Sequence, residues 1–221
     1  MLEIEIVNNI NNYLNNNGIR FSNELRMGIG IPDISFNIGA PNHLKPMDDY
    51  YLLSILEFIN RKLCTTFNEI KNEFLLAMNK VKRYVSALDK MNFVRIKNNT
   101  IQSMKNVSSV KLGTIISIEA KLKDWKGAYL QAQRYLCFSD YAYIAMPDNY
   151  IKNIEQDIFK ESGIGIISVD DNNKKIKEVL SARKSESCEF ILKYLITSKI
   201  IEKNANIEKK HLRKNIFTHL C

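Results

Sequence analysis

Cysteine is scarce in this chain of 221 residues, and its placement does not suggest metal binding. The four cysteines are scattered along the sequence and form no CxxC pair, at Cys64, Cys137, Cys188 and Cys221. Structural zinc sites need cysteine and histidine at short, characteristic spacings. The pattern therefore argues against a zinc site and fits reduced thiols in a cytoplasmic protein.

The sequence also lacks long apolar runs and glycine-rich loops. No segment approaches the roughly 20 apolar residues that span a bilayer, and the chain does not start with a signal peptide. We therefore expect a soluble, cytoplasmic protein without a membrane partner. Gly28-Ile29-Gly30 lacks the glycine-rich continuation and the following helix of a phosphate-binding loop, so we interpret these glycines as turn or bulge residues.

The sequence has fewer acidic than basic residues. The chain has 32 Lys and Arg against 24 Asp and Glu, which gives a net charge of +8 and a pI near 9.2. Such a balance favours a polyanion such as DNA through counterion release, although solvated surface lysines produce the same balance. With 45% hydrophobic and 25% charged residues, the composition is that of an ordinary globular protein.

The residues from 114 to 147 predict a strand, a helix and a second strand. Thr114 to Ser117 reads as a buried strand, and Ile118 to Lys121 lies where that strand ends. Residues two apart share a face of an extended chain, so Glu119 and Lys121 point the same way. Lys126 to Phe138 has helical spacing, and Tyr141 to Met146 reads as a strand. This order predicts two parallel strands with a right-handed crossover.

Two polar residues interrupt otherwise apolar patterns. Helical spacing puts Gln131 and Tyr135 on one face with small and apolar residues, namely Ala128, Ala132 and Leu136. Buried polar groups need partners, so we expect both side chains to be hydrogen-bonded. Upstream, Asp33 interrupts an alternating apolar run that reads as a strand, with Pro32 at an edge or bulge.

With these residues the sequence resembles the PD-(D/E)xK nuclease superfamily. Pro32-Asp33 matches its PD element, Glu119-Ala120-Lys121 its (D/E)xK element, and Gln131 to Tyr135 its QxxxY helix element. The resemblance covers roughly Met1 to Asp170 apart from an insertion. It implies an α/β fold with a restriction-endonuclease-like core, a central mixed sheet flanked by helices.

The resemblance also implies a mechanism. Asp33, Glu119 and the Ala120 carbonyl bind Mg²⁺, for which Mn²⁺ substitutes, and the metal activates a water. Lys121 orients or helps to deprotonate that water and stabilises the transition state, while Gln131 and Tyr135 support the site. Glu119 and Lys121 could instead form a simple surface pair at a strand end. Glu3 either reaches the metal site or is merely well placed at a helix N-terminus.

The segment between the PD and ExK elements predicts an inserted winged helix over residues 41–110. Helices are expected from Asp48 to Lys62, from a Thr66-to-Glu69 capping box through Leu75, and after an Asn79 cap. A hairpin follows, with strands Phe93 to Ile96 and Thr100 to Ser103. The predicted DNA contacts lie on the third helix, the wing and the core segment after the ExK element: Lys80, Lys82, Arg83, Lys90, Arg95, Lys97, Lys123 and Lys126. Solvated charges or a protein-docking role remain the alternatives.

The rest of the chain completes the predicted core. We expect a helix from Leu2 to Leu14, two hairpin strands over 19–27 and 29–38, a helix over 148–160, a strand over 163–169 and a helix over 186–199. The predicted domains are a discontinuous nuclease core (1–40 and 111–180), the insertion (41–110) and a basic C-terminal extension (181–221). The extension carries basic residues that could be solvated or track DNA: Lys203, Lys209, Lys210, Arg213 and Lys214.

The expected function is Mg²⁺-dependent DNA cleavage by an endonuclease of a restriction, repair or mobile-element type. Cleavage of both strands would call for a homodimer. A catalytically inactive DNA-binding regulator is one alternative, and an accessory subunit whose inserted domain docks a partner protein is another.

Overall fold

A computed structural model describes residues 1–41, 44–106, 109–170 and 172–204, which divide into two compact units. The larger unit contains residues 1–46 and 112 onward, and the smaller contains 47–111. Among the described residues, no helix combines the length and the apolarity that crossing a bilayer requires. Four of the basic residues expected in the C-terminal extension lie outside the described residues: Lys209, Lys210, Arg213 and Lys214.

The larger unit is built on a six-stranded mixed sheet. Its elements in chain order are α1 (Glu3–Asn16), β1 (Arg20–Asn23), β2 (Ile34–Ile38), β6 (Thr114–Ala120), α5 (Trp125–Tyr135), β7 (Tyr141–Pro147), a 3₁₀ helix (Asp148–Asn153), α6 (Gln156–Ser162), β8 (Gly165–Val169), β9 (Ile176–Leu180) and α7 (Phe190–Lys203). The strand order is β1-β2-β6-β7-β8-β9, with β6, β7 and β8 parallel and the outer pairs antiparallel. The β6–α5–β7 order and the parallel pairing of β6 with β7 confirm the strand–helix–strand prediction from residues 114 to 147.

Each face of this sheet is covered by helices. On one face, Ile6, Ile10 and Leu14 of α1 pack with alternate strand residues such as Ile118 and Ala120. On the other face, α5, α6 and α7 pack against the intervening positions. The alternation of Ile115 and Ile116 between the two cores is the period of a strand whose two faces are both buried.

The smaller unit combines three helices with a three-stranded antiparallel sheet. Its elements are α2 (Tyr50–Lys62), β3 (Cys64–Thr66), α3 (Phe67–Phe74), α4 (Met78–Lys90), β4 (Val94–Lys97) and β5 (Thr100–Ser103), with strand order β3-β5-β4. The predicted capping box is confirmed, because the Thr66 hydroxyl accepts from the Glu69 N–H and the Glu69 carboxylate accepts from the Thr66 N–H. Asn98 and Asn99, with φ of 47° and 61°, form the tight turn between β4 and β5.

Several details of the smaller unit differ from the sequence prediction. Helix α4 begins after Ala77, and Asn79 lies inside its first turn instead of capping it. Helical spacing groups Tyr51 with the inward-facing Leu52 and Ile55, but Tyr51 is exposed, whereas Leu53 is buried beside Leu52. Strand β3 was not predicted; with three residues it is too short for an alternating pattern.

The larger unit also corrects some predicted boundaries. The strands expected over 19–27 and 29–38 shrink to β1 and β2, because Glu24 has a positive φ of 50° and Pro32 cannot donate a ladder hydrogen bond. Pro32 therefore lies before β2 and not inside it. The helix expected over 148–160 is interrupted at Ile154, whose extended backbone buries its side chain in the core. Strand β9 was missed, and α7 lies four residues later than expected at both of its ends.

Candidate active site

Strand β6 carries the central acid of the site. Alternation along the strand turns Ile115, Ser117 and Glu119 toward α5, while Ile118 and Ala120 face the opposite core, as predicted. Strand β6 ends at Ala120, within the predicted end at Ile118 to Lys121, and the Glu119 side chain is only 2% exposed. The predicted alternative of a surface pair does not fit this burial.

Both carboxylate oxygens of Glu119 have partners. The Tyr135 hydroxyl donates to Oε2 at 2.5 Å, and the Lys121 Nζ lies 2.8 Å from Oε1. Desolvation raises the pKa of Glu119, and the charge of Asp33 raises it further. These effects outweigh the two hydrogen bonds, which lower it. Burying the ionised carboxylate of Glu119 therefore costs free energy. A bound cation would reduce that cost.

Asp33 is brought to the same place by strand pairing. It directly precedes β2, which pairs with β6 so that Ile34 lies opposite Ile118. Its Oδ2 accepts a hydrogen bond from the Ala120 N–H at 2.7 Å, whereas its Oδ1 has no hydrogen-bond partner among the described residues. Desolvation raises the pKa of Asp33, and nearby Glu3 and Glu24 raise it further. Asp33 therefore has one oxygen fixed and one oxygen free.

Lys121 is the cation of the cluster. Besides Glu119, its Nζ lies 3.8 Å from Oε2 of Glu3, in the first turn of α1. Desolvation lowers the pKa of Lys121, but its hydrogen bond to Glu119 and the charges of Glu119, Asp33 and Glu3 outweigh that effect and raise it. Lys121 is accordingly protonated, and Glu3 belongs to the same charge network as the predicted site residues.

Helix α5 contributes Tyr135 and Gln131, which behave differently. Tyr135 is buried and its hydroxyl also lies 3.2 Å from the Ile31 carbonyl, so it joins Glu119 to the loop before Asp33. Desolvation raises the pKa of Tyr135 above its ordinary value, and the hydrogen bond to Glu119 adds to the rise. Gln131 is half-buried and has no hydrogen-bond partner among the described residues, which contradicts the expectation of a specific partner.

Gln131 instead lines a cavity of about 340 Å³ with residues 28–31, Arg134 and Tyr135.

No family model, curated protein or solved structure matches the chain.

Asp33, Glu119 and the Ala120 carbonyl are the groups of the site that could hold a metal ion. Among the described residues, no group of three or more His, Cys, Asp or Glu side chains is arranged to hold a metal. Mg²⁺ keeps several waters, however, and is commonly bound through only one or two carboxylates. The free Oδ1 of Asp33 and the carboxylate of Glu119, whose two oxygens already contact Tyr135 and Lys121, are two candidate ligands, and the Ala120 carbonyl is a third. Glu3 contacts Lys121 and is a more distant candidate.

The residues predicted to contact DNA are all exposed. In the smaller unit, Lys80, Lys82, Arg83 and Lys90 lie on α4, and Arg95 and Lys97 lie on β4. None of these six residues forms an ion pair with a described carboxylate. In the larger unit, Lys123 and Lys126 contact the rings of Tyr150 and Trp125 at 5.6 and 5.3 Å. Their charged groups remain available to an anionic partner.

Sequence reasoning missed three features that shape the site. Asp124 caps α5 by accepting from the Gly127 N–H at 2.9 Å, a signal that an acidic residue before a helix offers. Buried hydroxyls connect β2, β6 and the loop before β7, from Ser35 through Ser117 to Ser139. Glu24 lines a cavity of about 340 Å³ with Glu3 and Asp33, and no local sequence pattern indicated that role.

Proposed function

We propose that this protein is a metal-dependent DNA endonuclease with a restriction-endonuclease-like core. The observation that carries the proposal is the convergence of Asp33, Glu119 and Lys121 at the adjoining ends of the paired strands β2 and β6. Two desolvated carboxylates beside a protonated lysine suit the hydrolysis of a phosphodiester, whose transition state is strongly anionic. The net charge of +8 favours an anionic substrate such as DNA.

Each side chain has a distinct task in the proposed reaction. Asp33 and Glu119 would hold Mg²⁺, which would supply Lewis acidity to lower the pKa of the attacking water and would neutralise phosphate charge. The raised pKa of Lys121 keeps it cationic, so it orients the attacking water and donates hydrogen bonds to the phosphate oxygens. Tyr135 holds Glu119 in position.

In this proposal the smaller unit is a winged helix that binds DNA. Support comes from its three helices and its antiparallel hairpin, and from the exposed basic residues of α4 and β4, which form no ion pair with a described carboxylate. In winged helices the third helix commonly enters the major groove while the hairpin tip contacts the phosphate backbone. We assign base or phosphate contacts to Lys80, Lys82, Arg83 and Lys90 and backbone contacts to Arg95 and Lys97.

The test is nicking of supercoiled plasmid by the purified protein in Mg²⁺ or Mn²⁺. Asp33→Ala and Lys121→Ala are the active-site variants, and each should reduce nicking at least a hundredfold. Asp157→Ala and Lys160→Ala are matched controls, because they remove one member of an exposed ion pair on α6. The controls should cleave like the parent. Equal nicking by parent and active-site variants would reject the proposed site and point to a contaminating nuclease.

A DNA-binding regulator is the second candidate function, favoured by the exposed cations of α4. It would be supported if the parent binds DNA but does not cleave it in either metal. An accessory subunit would be supported if the full-length protein has no salt-sensitive affinity for DNA.

A further inference from the structure

The loop before Asp33 presents two apolar side chains to solvent. Residues 28–31, here called the tip loop, have the sequence Gly-Ile-Gly-Ile, and Ile29 and Ile31 are 46% and 48% exposed. With Gln131, Arg134 and Tyr135 of α5, the tip loop lines a cavity of about 340 Å³. That volume lies within the range of roughly 300–1,000 Å³ that is usual for small-molecule sites.

The tip loop is held in place by specific contacts. The Met27 N–H donates to the Gly30 carbonyl at 3.1 Å, which closes a turn whose tip is Gly28 with φ of +84°. Gly30 packs so closely on Tyr135 that an added Cβ would lie 2.8 Å from the tyrosine ring. The Tyr135 hydroxyl lies 3.2 Å from the Ile31 carbonyl and 2.5 Å from Glu119. One tyrosine therefore fixes both the cavity and the central acid of the site.

The cavity lining combines apolar and polar groups in a way that suits a flat heteroaromatic ring. The isoleucine side chains and the glycine backbone offer apolar contact for the faces of a ring. Gln131 also lines the cavity, and its side-chain amide has no hydrogen-bond partner among the described residues. Such an amide has one acceptor and two donor positions that a polar ring edge can use. Arg134 also lines the cavity and is a basic residue. A nucleobase joined to a phosphate carries all the complementary features.

We propose that this cavity binds a nucleobase of the substrate that is unpaired and unstacked next to the cleaved bond. The inference rests on the proposed nuclease function and specifies its substrate class, namely DNA with an unpaired base at the cleavage site. A base stacked within a duplex cannot enter a side pocket unless it leaves the helix. Exposed isoleucines are suited to separate it from its neighbours, as apolar wedges do in other DNA complexes.

The test measures contact with the base separately from cleavage. A single-stranded oligonucleotide that carries 2-aminopurine is titrated with the full-length protein in Ca²⁺, and the fluorescence of the probe is followed. Ile29→Ser and Ile31→Ser are made singly and together. Leu130→Ser is the control, because Leu130 is an exposed apolar residue of α5 that does not line the cavity.

We expect a saturable change of fluorescence with the parent and with Leu130→Ser, and at least fivefold weaker binding of the single strand by the double variant. The parent should also bind the single strand at least fivefold more tightly than a duplex of the same sequence. An unchanged probe signal, or equal binding by the double variant and Leu130→Ser, would overturn the inference.

Plasmid nicking distinguishes this result from failure of the proposed function. Nicking by the parent without a probe signal would reject the base pocket alone. A probe signal that the double variant loses, without any nicking, would reject the nuclease and retain the pocket. If the parent binds no DNA, both proposals are wrong.

Discussion

At the scale of single residues, the site depends on how the buried carboxylate of Glu119 is stabilised. Its carboxylate has two partners, Lys121 and Tyr135, and each serves a different oxygen. Loss of one partner leaves a buried charge incompletely hydrogen-bonded, which costs more than an ordinary surface hydrogen bond contributes.

Tyr135→Phe should therefore weaken both stability and catalysis. The change keeps the ring, which packs on Phe138, and removes only the hydroxyl that donates to Glu119. A hydrogen bond to a charged group contributes about 1.5–3 kcal/mol, so we expect the free energy of unfolding in urea to fall by roughly that amount. Nicking should fall about tenfold or more.

Tyr129→Phe is the matched control on the same helix. Its hydroxyl accepts only an exposed hydrogen bond from Gln133, and its ring keeps its contact with Phe159. It should change stability by less than about 1 kcal/mol and leave nicking unaltered. Equal losses in the two variants would contradict the role assigned to Tyr135.

The raised pKa of Asp33 predicts that this carboxylate destabilises the metal-free protein at neutral pH. A group whose pKa is higher in the folded state binds its proton more tightly there. This tighter proton binding stabilises the folded state. The stabilisation is complete below the ordinary pKa of an aspartate and is lost as the pH rises through the pKa of Asp33 in the folded state. Asp33→Asn should thus melt at a higher temperature than the parent at pH 7 in EDTA, and the difference should shrink as the pH falls toward 4.

Thermal melting from pH 4 to pH 8, with EDTA and with Mg²⁺, checks this prediction. Mg²⁺ should raise the melting temperature of the parent more than that of Asp33→Asn. Asp157→Asn is the control, because hydrogen bonding to Lys160 lowers the pKa of Asp157. A parent that is more stable than Asp33→Asn in EDTA at pH 7 would contradict the argument.

At the scale of elements, local periodicity predicted β6, α5 and β7 well. Buried strands and an apolar helix face leave strong repeating signals, and the structure differs there mainly in the end of α5, which lies at Tyr135 and not at Phe138. Periodicity failed at Ile154, whose spacing fits a helix although its backbone is extended. It also could not indicate that Gln131 lines a cavity, since the face of a helix does not specify what lies opposite it.

The sequence predicted which residues belong to the site, but it did not predict which of them contact each other. Asp33 and Glu119 are 86 positions apart, and only the β2–β6 pairing explains why Asp33 accepts from the Ala120 N–H. The link between Tyr135 and Glu119 likewise depends on how α5 packs on the sheet. Long-range register of this kind leaves little trace in a single sequence.

The close packing of the tip loop on α5 leads to a prediction about Gly30→Ala. The added methyl group would meet the Tyr135 ring at 2.8 Å, so the loop or the ring must move. Crowding of this kind typically costs about 1–3 kcal/mol, and displacement of Tyr135 should lower nicking as well. Urea unfolding and plasmid nicking measure the two effects.

Gly39→Ala separates crowding from general effects of glycine replacement. Gly39 has φ of +82° but nothing within 4 Å of an added Cβ, so its replacement strains the backbone without crowding a neighbour. It should lose stability and keep its nicking rate. Full activity of Gly30→Ala would show that Tyr135 tolerates the displacement and would weaken its assigned role.

At the scale of the whole molecule, the charge is the property most directly tied to a nucleic-acid partner. The net charge of +8 includes six exposed basic residues on α4 and β4 that form no ion pair with a described carboxylate. The larger unit carries the candidate active site, and the smaller unit carries this group of exposed cations. If the smaller unit binds DNA, these cations should supply most of the affinity for DNA. Their replacement should not change the catalytic residues of the larger unit.

Lys82→Glu combined with Arg83→Glu should accordingly weaken DNA binding far more than an equal change of charge elsewhere. Removing one phosphate contact reduces the slope of log K against log salt by about 0.9 for duplex DNA, so the slope should fall by roughly 2. The control is Lys152→Glu combined with Lys160→Glu, which makes the same charge change at exposed positions of the larger unit. Fluorescence anisotropy of labelled duplex DNA at several salt concentrations provides the measurement. If both double variants lose affinity equally, net charge alone attracts the DNA, and α4 is not its binding surface.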